Sequence, residues 1–233
     1  IVERLGATDA GKQLLQTRLS LCKPVKQYQD VYNWVSSALG FLTMGNYPYA
    51  TSYITNGGCV MPPWPMTLAC KPLNSTTLTD DQVLEGVAAM VGVYNNCTKT
   101  KKCFDVYGTV NKETAQDGLF WSYLYCTSMV QPFATNGKSD MFWNAPFVMA
   151  DAIRGCQQQW GVTPRPYYAI DAYGGKQLAA ASNIVFSNGM LDPWRGGGIV
   201  DDINESVKAV VMRRCAHHVD LFFSNRDDPV DVV

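Results

Sequence analysis

Histidine is scarce in this chain, two residues in 233, and charge is dilute, with 17% charged residues and 19 Lys and Arg set against 20 Asp and Glu. A balance of that kind supplies no basic patch for a polyanion, so nucleic acid is not an expected partner. Also missing is any run of the roughly 18 uninterrupted apolar residues that a membrane span requires, because Lys, Asp, Asn, Gly or Pro punctuates every hydrophobic stretch. No CxxC occurs and no HxxxH follows one, so zinc-ligand spacing is absent, and neither a metal nor a cofactor is expected. No G-x-S-x-G occurs either. What the chain does have is 47% hydrophobic residues at near-zero net charge, the composition of a folded globular protein rather than of disorder or collagen.

Eight cysteines stand scattered at 22, 59, 70, 97, 103, 126, 156 and 215, a pattern better suited to disulfides than to a metal. Three Asn-x-Ser/Thr sequons accompany them, at Asn74, Asn96 and Asn204, and each is usable only in the secretory route. Together they point to an oxidising lumen, lysosomal or secreted. The first residue is Ile1, with no charged-then-apolar leader behind it, so the expectation is an N-terminus internal to a longer precursor.

The first two thirds read as mainly helical. Gln13, Leu14, Leu15 and Leu19 fall at helical spacing, and residues 28 to 44 form a second apolar run. Residues 45 to 74, with five prolines, are expected to be irregular. Thr79 followed by Gln82 forms a capping-box pattern ahead of the stripe Val83, Val87, Met90, Val91 and Tyr94. After about residue 166 the texture changes. Ile184, Val185 and Phe186 make a short apolar run, Val207 to Val211 make a second, and residues 199 to 206 are long enough for a crossover helix between parallel strands. The fold class is therefore α/β: a mostly helical region over residues 1–166, then an incomplete α/β region over 167–233 whose remaining strands are expected to lie outside this chain.

Two residues at the ends of these strands carry chemistry. Asp192 follows the first strand in SNGMLDPW, and His217 follows the second in CAHHVDL. Carboxyl ends of neighbouring parallel strands face one crevice, which would place acid and imidazole side by side. In α/β hydrolases the triad runs Ser, then Asp or Glu, then His, and an Asp loop followed one β unit later by a His loop is the second half of that order. Asp192 would fix the tautomer of His217 so that its other nitrogen deprotonates a serine. The bland alternative is a turn-capping Asp and a structural His.

The strings SNIVFSNGMLDPWRGGGI and AHHVDL, with QQWGVTPRP, WSYLYCTS and MGNYPYA upstream, closely resemble the serine exopeptidase family of the lysosomal Pro-Xaa carboxypeptidases and dipeptidyl peptidases II, over nearly the whole chain. The resemblance implies an α/β-hydrolase domain interrupted by a helical cap insertion, placed at residues 1 to about 166. It implies Asp192 and His217 as triad members, with Trp194 walling a pocket for proline or simply buried in the core. His218 packs nearby or lines the substrate site, and Tyr47, Pro48 and Tyr49 form a rigid corner. It pairs Cys22 with Cys103 and Cys126 with Cys156. Cys70 is expected unpaired, or caught by Cys59 or Cys97. The family's nucleophile elbow precedes the cap and is not among these residues, so its N-terminal part is an implied partner, and Asp228 and Pro229 look like the start of a helix cut short.

Three residues depart from the family pattern: Cys215 replaces a Gly, Phe222 an Arg and Ser128 a Glu. A Cys is awkward if that backbone needs positive φ, and a lost Arg removes an anchor for the His loop. The expected function is a proline-selective serine exopeptidase acting on proline-containing peptides, with release of N-terminal Xaa-Pro dipeptides preferred because LAAASNIVF, GGGI and the Asn204 sequon look closer to that subgroup. The alternatives are a Pro-Xaa carboxypeptidase and a catalytically inactive secreted peptide-binding homologue. A homodimer is compatible with each.

Overall fold

The computed structural model describes residues 1–107 and 112–232. It divides into two compact units, residues 1–107 with 181–233, and residues 108–180.

In the first unit, α1 (Val2–Gly6), α2 (Asp9–Arg18) and α3 (Gln29–Met44) lead through a loop to α4 (Pro65–Cys70) and α5 (Asp80–Asn95). Thr8 caps α2 by accepting from the Gly11 N–H at 3.1 Å. The expected capping box starts α5: Gln82 N–H donates to Thr79 Oγ1 at 3.3 Å, and Thr79 N–H donates to Gln82 Oε1 at 2.9 Å. The apolar faces of these helices bury Leu15, Leu19, Val25, Val31, Leu84 and Ala88 in one cluster closed by Phe104. Proline density did not keep residues 45 to 74 wholly irregular, because Pro65 sits at the first position of α4, where a missing N–H costs no helical bond.

The same unit holds the only sheet among the described residues, β1 (Ile184–Gly189) and β2 (Val207–Met212), paired in parallel from Ile184 opposite Val207 to Gly189 opposite Met212. The connection between them differs from the sequence expectation. It has no α-helix over 199 to 206, only a 3₁₀ turn at Pro193–Gly197. Asn204 takes the backbone another way, accepting with one side-chain oxygen the N–H groups of Ser206 and Val207, both at 2.8 Å. At the C-terminus Asp228 and Pro229 enter a turn, with Val232 N–H donating to Pro229 C=O at 2.9 Å, rather than a helix.

The second unit contains α6 (Lys112–Thr127), α7 (Met149–Trp160) and α8 (Tyr168–Tyr173). The Cys126–Cys156 disulfide joins α6 to α7, and the Trp160 indole N–H donates to Ser122 Oγ at 3.2 Å beside it. Helix α8 lies past residue 166, and the compact units part elsewhere: the early helices share a unit with the strands.

Cys22–Cys103 also forms as expected, and Cys70 is free and exposed. A third bridge, Cys59–Cys97, lies outside the expected map, which had offered these two cysteines only as alternative captors of Cys70. They pair with each other because the 3₁₀ turn Tyr53–Thr55 brings the loop at Cys59 back to the end of α5.

Candidate active site

Gly189 and Met212 are register partners at the carboxyl ends of β1 and β2, so both following loops leave from one edge. Beyond the ladder the loops stay joined: Met190 N–H donates to Met212 C=O at 2.8 Å, and Leu191 N–H donates to Cys215 C=O at 2.9 Å. Glycine is required at 189, since a Cβ there would stand 2.4 Å from the Cys215 carbonyl oxygen and 2.7 Å from that of Ala216. Three residues past one strand end and five past the other, Asp192 Oδ2 meets His217 Nδ1 at 2.8 Å.

Asp192 serves as cap and as acid partner together. Its Oδ1 accepts the Trp194 N–H at 2.9 Å and caps the 3₁₀ turn, which fixes the carboxylate so that Oδ2 faces the imidazole. A carboxylate only accepts, so Nδ1 carries the proton and the neutral ring keeps its lone pair on Nε2. The side chains are 13% and 18% exposed, so the pair is largely shielded from water.

The His loop is held from the helical side. His217 N–H donates to Met44 C=O, the last residue of α3, at 3.1 Å, and His217 C=O accepts from the Tyr47 hydroxyl at 2.7 Å. Tyr47 is fully buried with Met212, Cys215, Ala216 and Val219. Sequence reasoning read Tyr47 as a corner residue, and a contact spanning 170 positions left no local signal to say otherwise.

Trp194 is half-buried; its indole N–H points at the Met44 sulfur at 3.0 Å, and its ring centre lies 6.1 Å from that of His217. A depression of about 360 Å³ beside it is lined by Thr43, Leu191, Asp192, Pro193 and Arg195, though not by the imidazole. A larger cavity of about 1120 Å³ lies between α4 and α5 and includes neither Asp192 nor His217, so size does not mark the chemistry. Among the described residues no three His, Cys, Asp or Glu side chains converge as metal ligands.

His218 adopts a left-handed conformation, φ 62°, and its ring lies against that of His217, tilted by 49° with ring centres 3.6 Å apart. Partial burial, then the neighbouring His217, lower its pKa below the usual 6.5, against opposing pulls from Asp192 and Asp220. The folded chain therefore binds this proton less readily than the unfolded one. The associated stability is complete above the unfolded value and is lost as pH falls through the depressed folded value. Melting curves from about pH 7 to about pH 5 should show a shallower acid-side loss for His218→Gln than for the parent. Parallel slopes would contradict this.

The departures from the family pattern take on physical form. Cys215 has no positive φ and is fully buried, so the feared backbone strain does not arise. Burial first, then Asp231, Asp228 and Asp220, push its thiol up to about 12, leaving a small inert apolar residue. Phe222 packs its ring against Tyr53, Tyr47 and Tyr49 at 4.8, 5.1 and 6.5 Å, so aromatic contact anchors the loop where an Arg was expected. Ser128 lies just past α6 in the second unit, with its hydroxyl on Thr127 Oγ1. Of the sequons, Asn74 is exposed. The side-chain amides of Asn96 and Asn204 donate to Lys101 C=O and Ala181 C=O.

Comparison with known proteins gives the family. The chain is 37% identical over 234 residues to the lysosomal Pro-X carboxypeptidase of Homo sapiens, with 100% of the chain and 46% of that protein covered. It is 36% identical to the Bos taurus protein of the same name, covering 99% and 46%, and 31% identical to prolyl carboxy peptidase like protein 5 of Caenorhabditis elegans, covering 99% and 48%. The chain spans about half the length of these curated relatives. The family model described as serine carboxypeptidase S28 matches residues 1–233, and to that serine peptidase family the chain belongs.

Proposed function

We propose that this chain supplies the acid and base of a proline-directed serine carboxypeptidase, with Asp192 orienting His217 and the nucleophilic serine contributed by residues outside these 233. The observation that carries the reading is the 2.8 Å contact between Asp192 Oδ2 and His217 Nδ1 at two register-matched strand ends. His217 takes the proton of the serine hydroxyl at Nε2 as the oxygen attacks the scissile carbonyl, and returns it to the leaving amine. The same imidazole then activates water to free the acyl group. The indole of Trp194 offers a flat apolar wall for a pyrrolidine ring. Residues 1 to about 166 act as the cap insertion, a role supported by the end of α3 reaching the His217 main chain.

The names of the relatives favour removal of the residue after proline. A second reading, release of N-terminal Xaa-Pro dipeptides, is supported by the strings LAAASNIVF and GGGI. A blocked peptide ending in Pro-Phe and an arylamide of Lys-Pro, offered to the full-length protein, separate the two. Cleavage of the blocked peptide alone is expected. Cleavage of the arylamide alone favours the dipeptidyl reading, and cleavage of neither favours an inactive peptide-binding homologue. The 233 residues by themselves should hydrolyse nothing, since they bring no elbow serine and no oxyanion donors of that elbow. Location in the lysosome or outside the cell, with a glycan on exposed Asn74 ahead of Asn96 and Asn204, fits three disulfides and the sequons.

A further inference from the structure

We infer that Tyr47 is a positioning residue for the proposed base, its buried hydroxyl fixing the main chain of His217 and thereby the contact of that imidazole with Asp192. The inference rests on His217 being the base. Both peptide groups of His217 are held by one short segment: the N–H by Met44 C=O at 3.1 Å and the C=O by Tyr47 Oη at 2.7 Å. That segment is itself immobilised. Tyr47 N–H donates to Gly45 C=O at 2.8 Å, and Tyr47 C=O accepts from Trp64 N–H at 2.7 Å. The ring is fully buried and packs on Phe222 at 5.1 Å. Burial, then Tyr53, Asp192 and Tyr49, push the phenol pKa up, so the hydroxyl stays a donor throughout the pH range of a lysosome or of plasma.

A buried carbonyl that loses its only strong donor turns towards another or draws in water, and either movement rotates the residue that bears it. For His217 that rotation acts on an imidazole whose contact with Asp192 is one 2.8 Å hydrogen bond at Nδ1. Tyr47→Phe removes one oxygen and leaves the ring, so it isolates this role from packing.

The test uses the full-length protein and the peptide it cleaves, with kcat normalised to active sites titrated by a fluorophosphonate so that unfolded material does not count. Tyr47→Phe should lower kcat roughly tenfold, the effect of one buried hydrogen bond, with KM little changed. Tyr53→Phe, a neighbouring ring in contact with Phe222, should keep the parent kcat and KM. A lower melting temperature for Tyr47→Phe with kcat unchanged, or a loss that falls on KM rather than kcat, overturns the inference and leaves the base in place. Unchanged turnover in His217→Ala would overturn the assignment of the base itself, whatever Tyr47→Phe does.

Discussion

His217→Ala should lower kcat of the full-length protein on the order of ten-thousandfold, and Asp192→Asn should come close to it. The two variants fail for different reasons. Alanine leaves nothing to take the serine proton. Asparagine keeps a side-chain oxygen for the Trp194 N–H, so the 3₁₀ turn remains capped and the fold is little disturbed. Its amide, however, can present an N–H to His217 Nδ1, and a ring that accepts there carries its proton on Nε2, where the lone pair is needed. Melting temperatures within a few degrees of the parent, alongside lost turnover, would locate the effect in chemistry rather than in folding. Loss smaller than about tenfold in His217→Ala would show that another group serves as base.

The Cys22–Cys103 bridge should carry a large share of the stability. It closes a separation of 81 residues, and in the chain-entropy view a loop of that size contributes about 4 to 5 kcal/mol by restricting the unfolded chain. Native contacts at the same place share the work: Cys22 N–H donates to Phe104 C=O at 2.9 Å, and Phe104 N–H donates to Ser20 C=O at 2.8 Å. Cys22→Ser with Cys103→Ser should therefore lower the melting temperature by on the order of 10 °C. A shift of about 2 °C or less would mean that the Leu21 to Phe104 pairing and the core around Leu15 and Leu19 hold these segments without the sulfur link.

Asp192 and His217 were legible in the sequence because each follows an apolar run by a few residues, and parallel pairing turns that linear arrangement into proximity. The start of α5 was legible for a similar reason, since a capping box is local. What was not legible depended on contacts made far along the chain or on choices between equal local options. The crossover helix gave way to an irregular path because the Asn204 side chain bonds the backbone just beyond it. Pro65 opens a helix instead of breaking one, since position decides what a proline does. Tyr47 reads as a turn residue until the His loop arrives against it, and Cys59 finds Cys97 only once the loop before α4 has folded back.

The central claim is that Asp192 and His217 activate a serine, and an active-site-directed fluorophosphonate tests it most directly. The full-length protein, treated with the probe and digested, should yield one modified serine within a G-x-S-x-G segment outside these 233 residues, and the adduct should vanish or form far more slowly in His217→Ala. Modification that proceeds at the parent rate in His217→Ala, or a modified serine within residues 1–233, would contradict the account.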